Sequence, residues 1–516
     1  MKKTLNSALS VLIIICLILT CACSRRADED YESPILHMRI ADTDWNDDVR
    51  ESINGLLAAY GTDSKNPADK PYVVFDFDNT CSIFDVEEQL AIYQIQTMEF
   101  EIEPDELVDI LLTDLSDTEK DLTSFGYGNG SFSDWAYDIG TAYTYLWDNY
   151  GPFNAGGLRD DVQEKIQKDP EWLEFAAKMR AMYSLVYDAE SSDVAYPWVL
   201  YWFTGMKEEE IYDLAMRGFK EYKDKETEKV IWESPAQISS KTGVVKYEWT
   251  SGIQVTDNIY ELWRAFDDNG IDVWVCSASC TGAIRAAIDT FDLHNYCKGL
   301  LAMTNMTDDT DKYINKYDFE NGCGFYCEYN GNWERMTTPT KAQTQGKGKV
   351  TAIANAIAPE YNGHGPIAGF MDSTGDFNFC TEFETLKLVV CFNRADRKVT
   401  DGGGLIAETA VYQKDTLGYN LQKANDNGDT LYLLQGRDEN GLRSLRNSPL
   451  TLKLGEKDEK LFKNEDNYTQ LKKMIDDKMS VKEIFEKWSI KQAAGENGFE
   501  FDTGFLTEYS GYHSHK

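Results

Sequence analysis

Apolar residues recur at helical spacing through Val49, Ile53, Leu56, Leu57 and Tyr60, with Asn46 or Asp47 placed to cap that helix. The pattern then changes. After the polar loop GTDSKNPADKP comes YVVF (72–75), a continuous apolar run of the buried-strand type, which gives way to Asp76, Asp78 and Thr80. From residue 86 to about 250 the chain is aromatic-rich and helix-like, as in YPWVLYWFTGMKEEEIYDLAMRGF from Tyr196 to Phe219. No Asp-rich strand end occurs in that stretch, which predicts an inserted, mostly helical domain over 86–250. Strand and helix then alternate. Asp257 caps IYELWRAF, with Ile259, Leu262 and Phe266 on one face and Asn269-Gly270 as the stop; IDVWVCSAS reads as a strand ending at Ser277, and the helical TGAIRAAI starts at once. Residues 298 to 345 read as an excursion holding a hairpin with its turn at Asn330-Gly331. Lys349 then precedes the helical VTAIANAIA, PIAGFM leads into Asp372, and LKLVVCF (386–392) is a fourth buried strand. This alternation predicts an α/β core, 46–85 plus 251–395, around a mainly parallel sheet. Residues 396–516 mix Gly-rich loops, a strand at LYLLQG and helices near 466 to 491, read as a C-terminal extension packed on the core.

The 516 residues allow two to four domains, or one large domain with insertions. At 42% hydrophobic and 13% aromatic the chain is globular, so a net charge of −37 belongs to a solvated surface and disfavours nucleic acid or an anionic membrane as a general partner. The N-terminus changes the picture further. Lys2 and Lys3 precede an apolar run from Ala8 to about Ala22, too short for a comfortable membrane span and built like a secretory signal. Residues 1–23 resemble a bacterial lipoprotein signal, which implies lipidation of Cys23, with Cys21 as the alternative; Thr20 departs from the Leu or Val usual three residues before the cysteine. An extracytoplasmic protein follows, joined to the membrane only by a lipid and a polar tether over 24–45. Of eleven cysteines, eight lie in the folded body, without a CxxC pair or zinc spacing. On one extended strand Cys323 and Cys327 would be about 13 Å apart, too far for a disulfide.

The chemistry lies where apolar segments hand over to reactive groups, and in an open parallel sheet such ends converge beyond the carboxyl ends of the strands. Asp76 can attack phosphorus, and Asp78 can protonate the leaving oxygen and then activate water. Ser277, at a helix start, can hold phosphate oxygens, while Lys349 neutralises both the phosphoryl charge and the Asp76 carboxylate. Asp372 and Asp376 bring further negative charge, and converging carboxylates call for a hard cation, Mg²⁺ in phosphate chemistry. In QGKGKV either Lys347 or Lys349 can fill the lysine role, Lys349 being favoured because it directly precedes the helix.

DFDNT (76–80), Ser277 after VWVC, a lysine opening a helix and DSTGD (372–376) resemble the four ordered motifs of the haloacid dehalogenase superfamily, phosphatase branch. The resemblance implies a Rossmann-like three-layer core, a transient aspartyl-phosphate on Asp76, and Mg²⁺ held by the Asp76 carboxylate, the Asp78 backbone carbonyl and Asp372, with Asp376 assisting. It also implies that 86–250 is a helical cap closing over a small phosphorylated substrate. Met371 departs from the glycine common before the last motif's first acid. Within the superfamily, the exported location, DNT, SAS and the long cap look like bacterial phosphorylcholine phosphatases, with phosphoserine phosphatases as broader kin. Tyr196, Trp198, Tyr201, Trp202 and Phe203 are then either helix core or a cage for a quaternary ammonium. A solute-binding lipoprotein that keeps the fold without catalysis is the competing reading.

Overall fold

YVVF forms strand β1 (Tyr72–Phe75), and its side chains divide between two interiors: Tyr72 and Val74 join one apolar cluster, Val73 and Phe75 the other. That alternation is what a strand shows when both faces of its sheet are covered. The computed structural model describes residues 37–317, 324–329, 332–336, 343–395, 402–463 and 480–486. The expected signal segment with Cys21 and Cys23, residues 24–36 of the tether, the Asn330-Gly331 turn and most of the stretch 466–491 lie outside the described residues.

Among the described residues, β1 is joined by β2 (Asp272–Cys280), β3 (Gly299–Met303), β4 (Gly324–Tyr329), β5 (Asn332–Met336), β6 (Ala368–Met371), β7 (Leu388–Phe392), β8 (Leu431–Asp438) and β9 (Ser444–Arg446). Their order is β5-β4-β3-β2-β1-β6-β7-β8-β9. The strands from β3 through β8 run parallel, and β4, β5 and β9 close the two edges antiparallel. Taken in chain order, the parallel strands have the doubly wound arrangement of a Rossmann-like fold, whose order reverses between β1 and β6. A ligand crevice is expected outside the carboxyl ends of those two strands.

Helices cover both faces. Asp47–Tyr60, Asp257–Asp268 and Thr281–Thr290 pack on the Val73/Phe75 side, where the Phe75 ring stacks on Phe370 at 3.9 Å and lies 5.4 Å from Trp263. Each such side chain withdrawn from water contributes about 1.5–3 kcal/mol. The opposite face is covered by Lys347–Ala352 and its continuation, Phe379–Glu382 and Gly402–Tyr412. Between β1 and β2 lie the helices Val86–Thr97, Leu107–Leu111, Phe132–Tyr150, Asp160–Ile166, Pro170–Ala189, Ser192–Leu200 and Glu208–Tyr222, then the hairpin Glu228–Glu233/Lys246–Ser251. Their apolar residues join the cluster that covers Phe75, so the water-excluded interior runs on from the sheet into this segment. Among the described residues no helix is long and apolar enough to cross a membrane.

Four details differ from the sequence pattern. Ser277 lies inside β2, and the following helix starts only at Thr281, because the strand stays extended through Cys280. KGLLAM, read as the start of an excursion, supplies the third parallel strand. LYLLQG is not packed on the sheet but hydrogen-bonded into it as β8. Residues 37–45, expected in the tether, pack on the core: Ile40 and Trp45 are buried, and the Ile40 amide donates to Asn54 Oδ1.

Candidate active site

Register brings the expected residues together. Phe75 sits opposite both Val275 and Phe370, so the ends of β1 and β6 lie side by side, while β2 runs on past them through Ser277 to Cys280. Beyond β1 the chain turns tightly, with Asn79 left-handed at φ 59° and the amides of Thr80, Cys81 and Ser82 all donating to the Phe77 carbonyl. That turn aims the Thr80 hydroxyl at Asp76 Oδ2, 3.2 Å away, and the Cys81 thiol at the Asp76 carbonyl. Beyond β6, Ser373 and Asp376 form a reciprocal cap, and Asp376 Oδ2 accepts the amides of Asp372 and Ser373. Lys349 arrives on the short helix Lys347–Ala352. A Cβ at Gly348 would stand 1.7 Å from the Gln343 carbonyl oxygen, so the approach of this loop requires glycine there.

Lys349 Nζ donates to Asp76 Oδ1 and to Asp376 Oδ1, at 2.6 Å each, with all three side chains buried. Carboxylate oxygens of Asp76, Asp372 and Asp376 lie within 4.8 Å of one another. Arg394, two residues past β7, donates to Asp372 Oδ2 at 3.0 Å. Burial, then repulsion from Asp376, pushes the Asp76 carboxyl well above the usual carboxylate range, with Lys349 pulling the other way. Burial raises Asp376 as well, again against Lys349. For Lys349 burial opposes the charge, but Asp376 and Asp76 outweigh it and hold the ammonium protonated. Three desolvated carboxylates thus share one ammonium and one guanidinium, and this all-oxygen donor set fits a hard divalent cation such as Mg²⁺.

Asp78 does not belong to that cluster. Its Oδ1 accepts the Val86 amide at 2.6 Å, and its Oδ2 accepts the hydroxyls of Ser279 at 2.6 Å and Ser277 at 3.3 Å. The resemblance assigns to a metal only the backbone carbonyl of Asp78, and a carboxylate engaged in this way leaves that assignment as it stands. Burial pushes Asp78 well up, helped by Asp85 and Asp76. Ser277 is fully buried, and it must release Asp78 before it can hold a phosphate oxygen. Lys347 lies elsewhere, 3.4 Å from buried Glu382, so Lys349 is the lysine at the acids.

Arg394, Ser279 and Glu87 escaped the sequence reading. Arg394 follows a strand end, as Asp76 and Asp372 do, which was a usable signal; Ser279 lies inside β2, two residues past Ser277, and Glu87 looks like any first-turn acid. It is buried, accepts the Cys280 amide at 2.6 Å, and has Oε1 without a hydrogen-bond partner. Burial, resisted by that amide and helped by Asp85, pushes its carboxyl up to about 8. An acid raised in this way stays protonated in the folded chain while the unfolded chain ionises, so stability falls as pH rises from about 5 to about 8 and levels off above. Glu87→Gln is expected to flatten that fall and to gain roughly 2–4 kcal/mol at pH 8, read as the difference in thermal midpoint between pH 5 and pH 8. Parallel slopes in both proteins would show that Glu87 is ionised in the fold.

The aromatic stretch resolves mostly as core. Trp198, Tyr201, Trp202 and Phe203 are all buried, with Trp198 Nε1 donating to the Leu111 carbonyl and the Tyr201 hydroxyl to Asp114. Tyr196 alone keeps partial exposure. Its ring lies 5.9 Å from that of Tyr187, and burial raises its hydroxyl pKa, with Tyr187 and Asp85 adding to the rise and Arg394 opposing it.

The fold and site together define an α/β protein with a Rossmann-like sheet and a buried cluster of acids and one lysine at its switch point. No family model matches the chain, and no curated protein matches it. Among solved structures, a conserved functionally unknown protein from Anaerococcus prevotii DSM 20548 is similar at 27% identity and TM-score 0.64, over 81% of this chain and 100% of that one. Cytosolic 5'-nucleotidase IIIB bound to cytidine aligns over 67% of this chain and 78% of that one at 12% identity; its TM-score of 0.25 carries no argument.

Proposed function

We propose that this chain is a Mg²⁺-dependent phosphomonoesterase of the haloacid dehalogenase type, acting on a small phosphorylated metabolite through an aspartyl-phosphate. The observation that carries the reading is Lys349 Nζ, 2.6 Å from both Asp76 and Asp376 inside the buried acid cluster. A buried ammonium held by a potential nucleophile is poised to offset charge on a phosphoryl group as well as on the attacking oxygen.

In the first step an Asp76 oxygen attacks phosphorus, the phosphorus–oxygen ester bond breaks, and the leaving alkoxide takes a proton from Asp78. Asp78 suits this role because burial and the neighbouring Asp85 and Asp76 raise its carboxyl well above the usual carboxylate range, against the pull of the Ser279 hydroxyl and the Val86 amide. In the second, Asp78 takes a proton from water, whose oxygen attacks phosphorus and releases inorganic phosphate with Asp76 restored. Lys349 orients Asp76 throughout, and the Thr80 hydroxyl fixes its other oxygen. When bound, Mg²⁺ would be held by Asp76, Asp372 and Asp376 and would supply electrostatic stabilisation of the phosphoryl oxygens.

Phosphorylcholine is the first ester to assay, on the sequence resemblance and on Tyr196, the residue of the aromatic stretch that keeps partial exposure and so can offer a ring face to a cationic tail. The proposed exported location and lipid anchor at Cys23 rest on the N-terminal sequence. Phosphate release from an aryl phosphate is expected with Mg²⁺, to fall at least about 100-fold in EDTA, and to return when Mg²⁺ is restored. Release indifferent to EDTA removes the metal from the proposal. Binding of phosphate esters with no release from any of a panel would leave a binding protein in its place.

A further inference from the structure

The C-terminal region reaches the reacting loop through one buried arginine. Arg437, on β8 and 1% exposed, donates from one terminal nitrogen to the Asn79 carbonyl at 3.1 Å and from the other to Asn79 Oδ1 at 3.1 Å. Asn79 stands between Asp78 and Thr80 in the left-handed conformation, which asparagine adopts more readily than most non-glycine residues. Arg437 is itself fixed from behind. Its Nε and one terminal nitrogen donate to Glu439 Oε1, which also accepts Lys453 Nζ at 3.1 Å, and its backbone amide donates to Thr451. Burial works against the Glu439 charge, yet Arg437 and Lys453 keep that carboxyl below its ordinary value. A buried pair of this kind adds little net stability on average, whereas its two-pronged geometry is directional.

We propose that Arg437 is a positioning residue for the phosphatase loop: its guanidinium clamps Asn79 and thereby sets the Asp76 and Asp78 carboxylates relative to each other. The planar guanidinium presents its two terminal donors in a fixed parallel fork that matches the carbonyl and the side-chain oxygen of one residue, a geometry the freely rotating ammonium of lysine does not enforce. The clamp acts between the two acids, since Thr80, the next residue, carries the hydroxyl that donates to Asp76. It ties residues 358 apart in sequence and gives the C-terminal region a part in the chemistry.

The inference rests on the proposed roles of Asp76 and Asp78, so its test has one readout that needs no turnover. Arg437→Lys keeps a positive charge for Glu439 and loses the fork. It is expected to lower kcat for the aryl phosphate about 10- to 100-fold with KM nearly unchanged, and to raise deuterium uptake several-fold in a peptide spanning residues 76–84. Arg443→Met is the matched control. Arg443 anchors the same region to the Thr227 hydroxyl and to the Lys225 and Ile253 carbonyls, away from the loop, so its loss should lower the thermal midpoint while sparing kcat and uptake. Parent-like kcat and uptake in Arg437→Lys, or equal losses in Arg443→Met, overturn the clamp. Should Arg437→Lys fail to fold, Asn79→Gly keeps the left-handed turn and the carbonyl and removes Oδ1; parent kcat and uptake there overturn it equally. If the parent releases no phosphate, the phosphatase reading falls, and uptake alone decides whether Arg437 holds the loop.

Discussion

Asp76→Asn is expected to release phosphate from an aryl phosphate at least about a thousandfold more slowly than the parent protein, at saturating Mg²⁺. The substitution keeps shape and burial and removes only the charge. An amide oxygen is a poor nucleophile towards phosphorus, and no other carboxylate has the same support: Asp376 spends Oδ2 on two amides, and Asp372 is paired with Arg394. Folding should not suffer in step. Asp76 is pushed up by burial and by Asp376, so neutralising it relieves repulsion inside the cluster, and the variant should melt no earlier than the parent in EDTA. Dead catalysis with intact folding is the signature of a reacting group, read by steady-state kinetics and thermal unfolding on the same samples. Parent-like turnover in Asp76→Asn would end the assignment of the nucleophile.

The second large effect separates the two lysines of QGKGKV. Lys349→Met should abolish phosphate release to a similar degree and also destabilise the protein, because Asp76 and Asp376 lose the ammonium between them; leaving a buried charge unpaired costs about 3–5 kcal/mol. Added Mg²⁺ should restore part of that stability and none of the activity, since a cation can offset the acids but cannot reproduce the ammonium's two hydrogen bonds. Lys347→Met breaks the contact with buried Glu382, so it should lower the thermal midpoint while phosphate release persists. Urea unfolding with and without Mg²⁺, set beside the assay, distinguishes the pair. Activity surviving in Lys349→Met and lost in Lys347→Met would reverse the assignment.

The residues that were legible share one physical property. YVVF before Asp76, VWVC before Ser277 and PIAGFM before Asp372 are short apolar runs that end abruptly in polar groups, and a strand buried on both faces writes that signal locally. The helix over 47–60 was as clear, with Asn46 capping it through the Asp48 amide. The third parallel strand was not, because a glycine and four apolar residues at 299–303 carry no periodicity to separate a strand from a loop. The aromatic stretch 196–203 was ambiguous for a related reason: rings that fill a core and rings that line a pocket are the same residues, and only burial tells them apart.

By itself, then, the chain's sequence determined the alternating α/β plan and the strand ends after which Asp76 and Asp372 stand, because each depends on neighbours a few residues away. Tertiary structure alone decided which lysine meets the acids, that the Asp78 carboxylate turns to Ser277 and Ser279 and not to the cluster, and that Arg437 grips Asn79. Those are choices between side chains of equal local merit, and they are made by the register of distant strands and the direction from which each segment arrives.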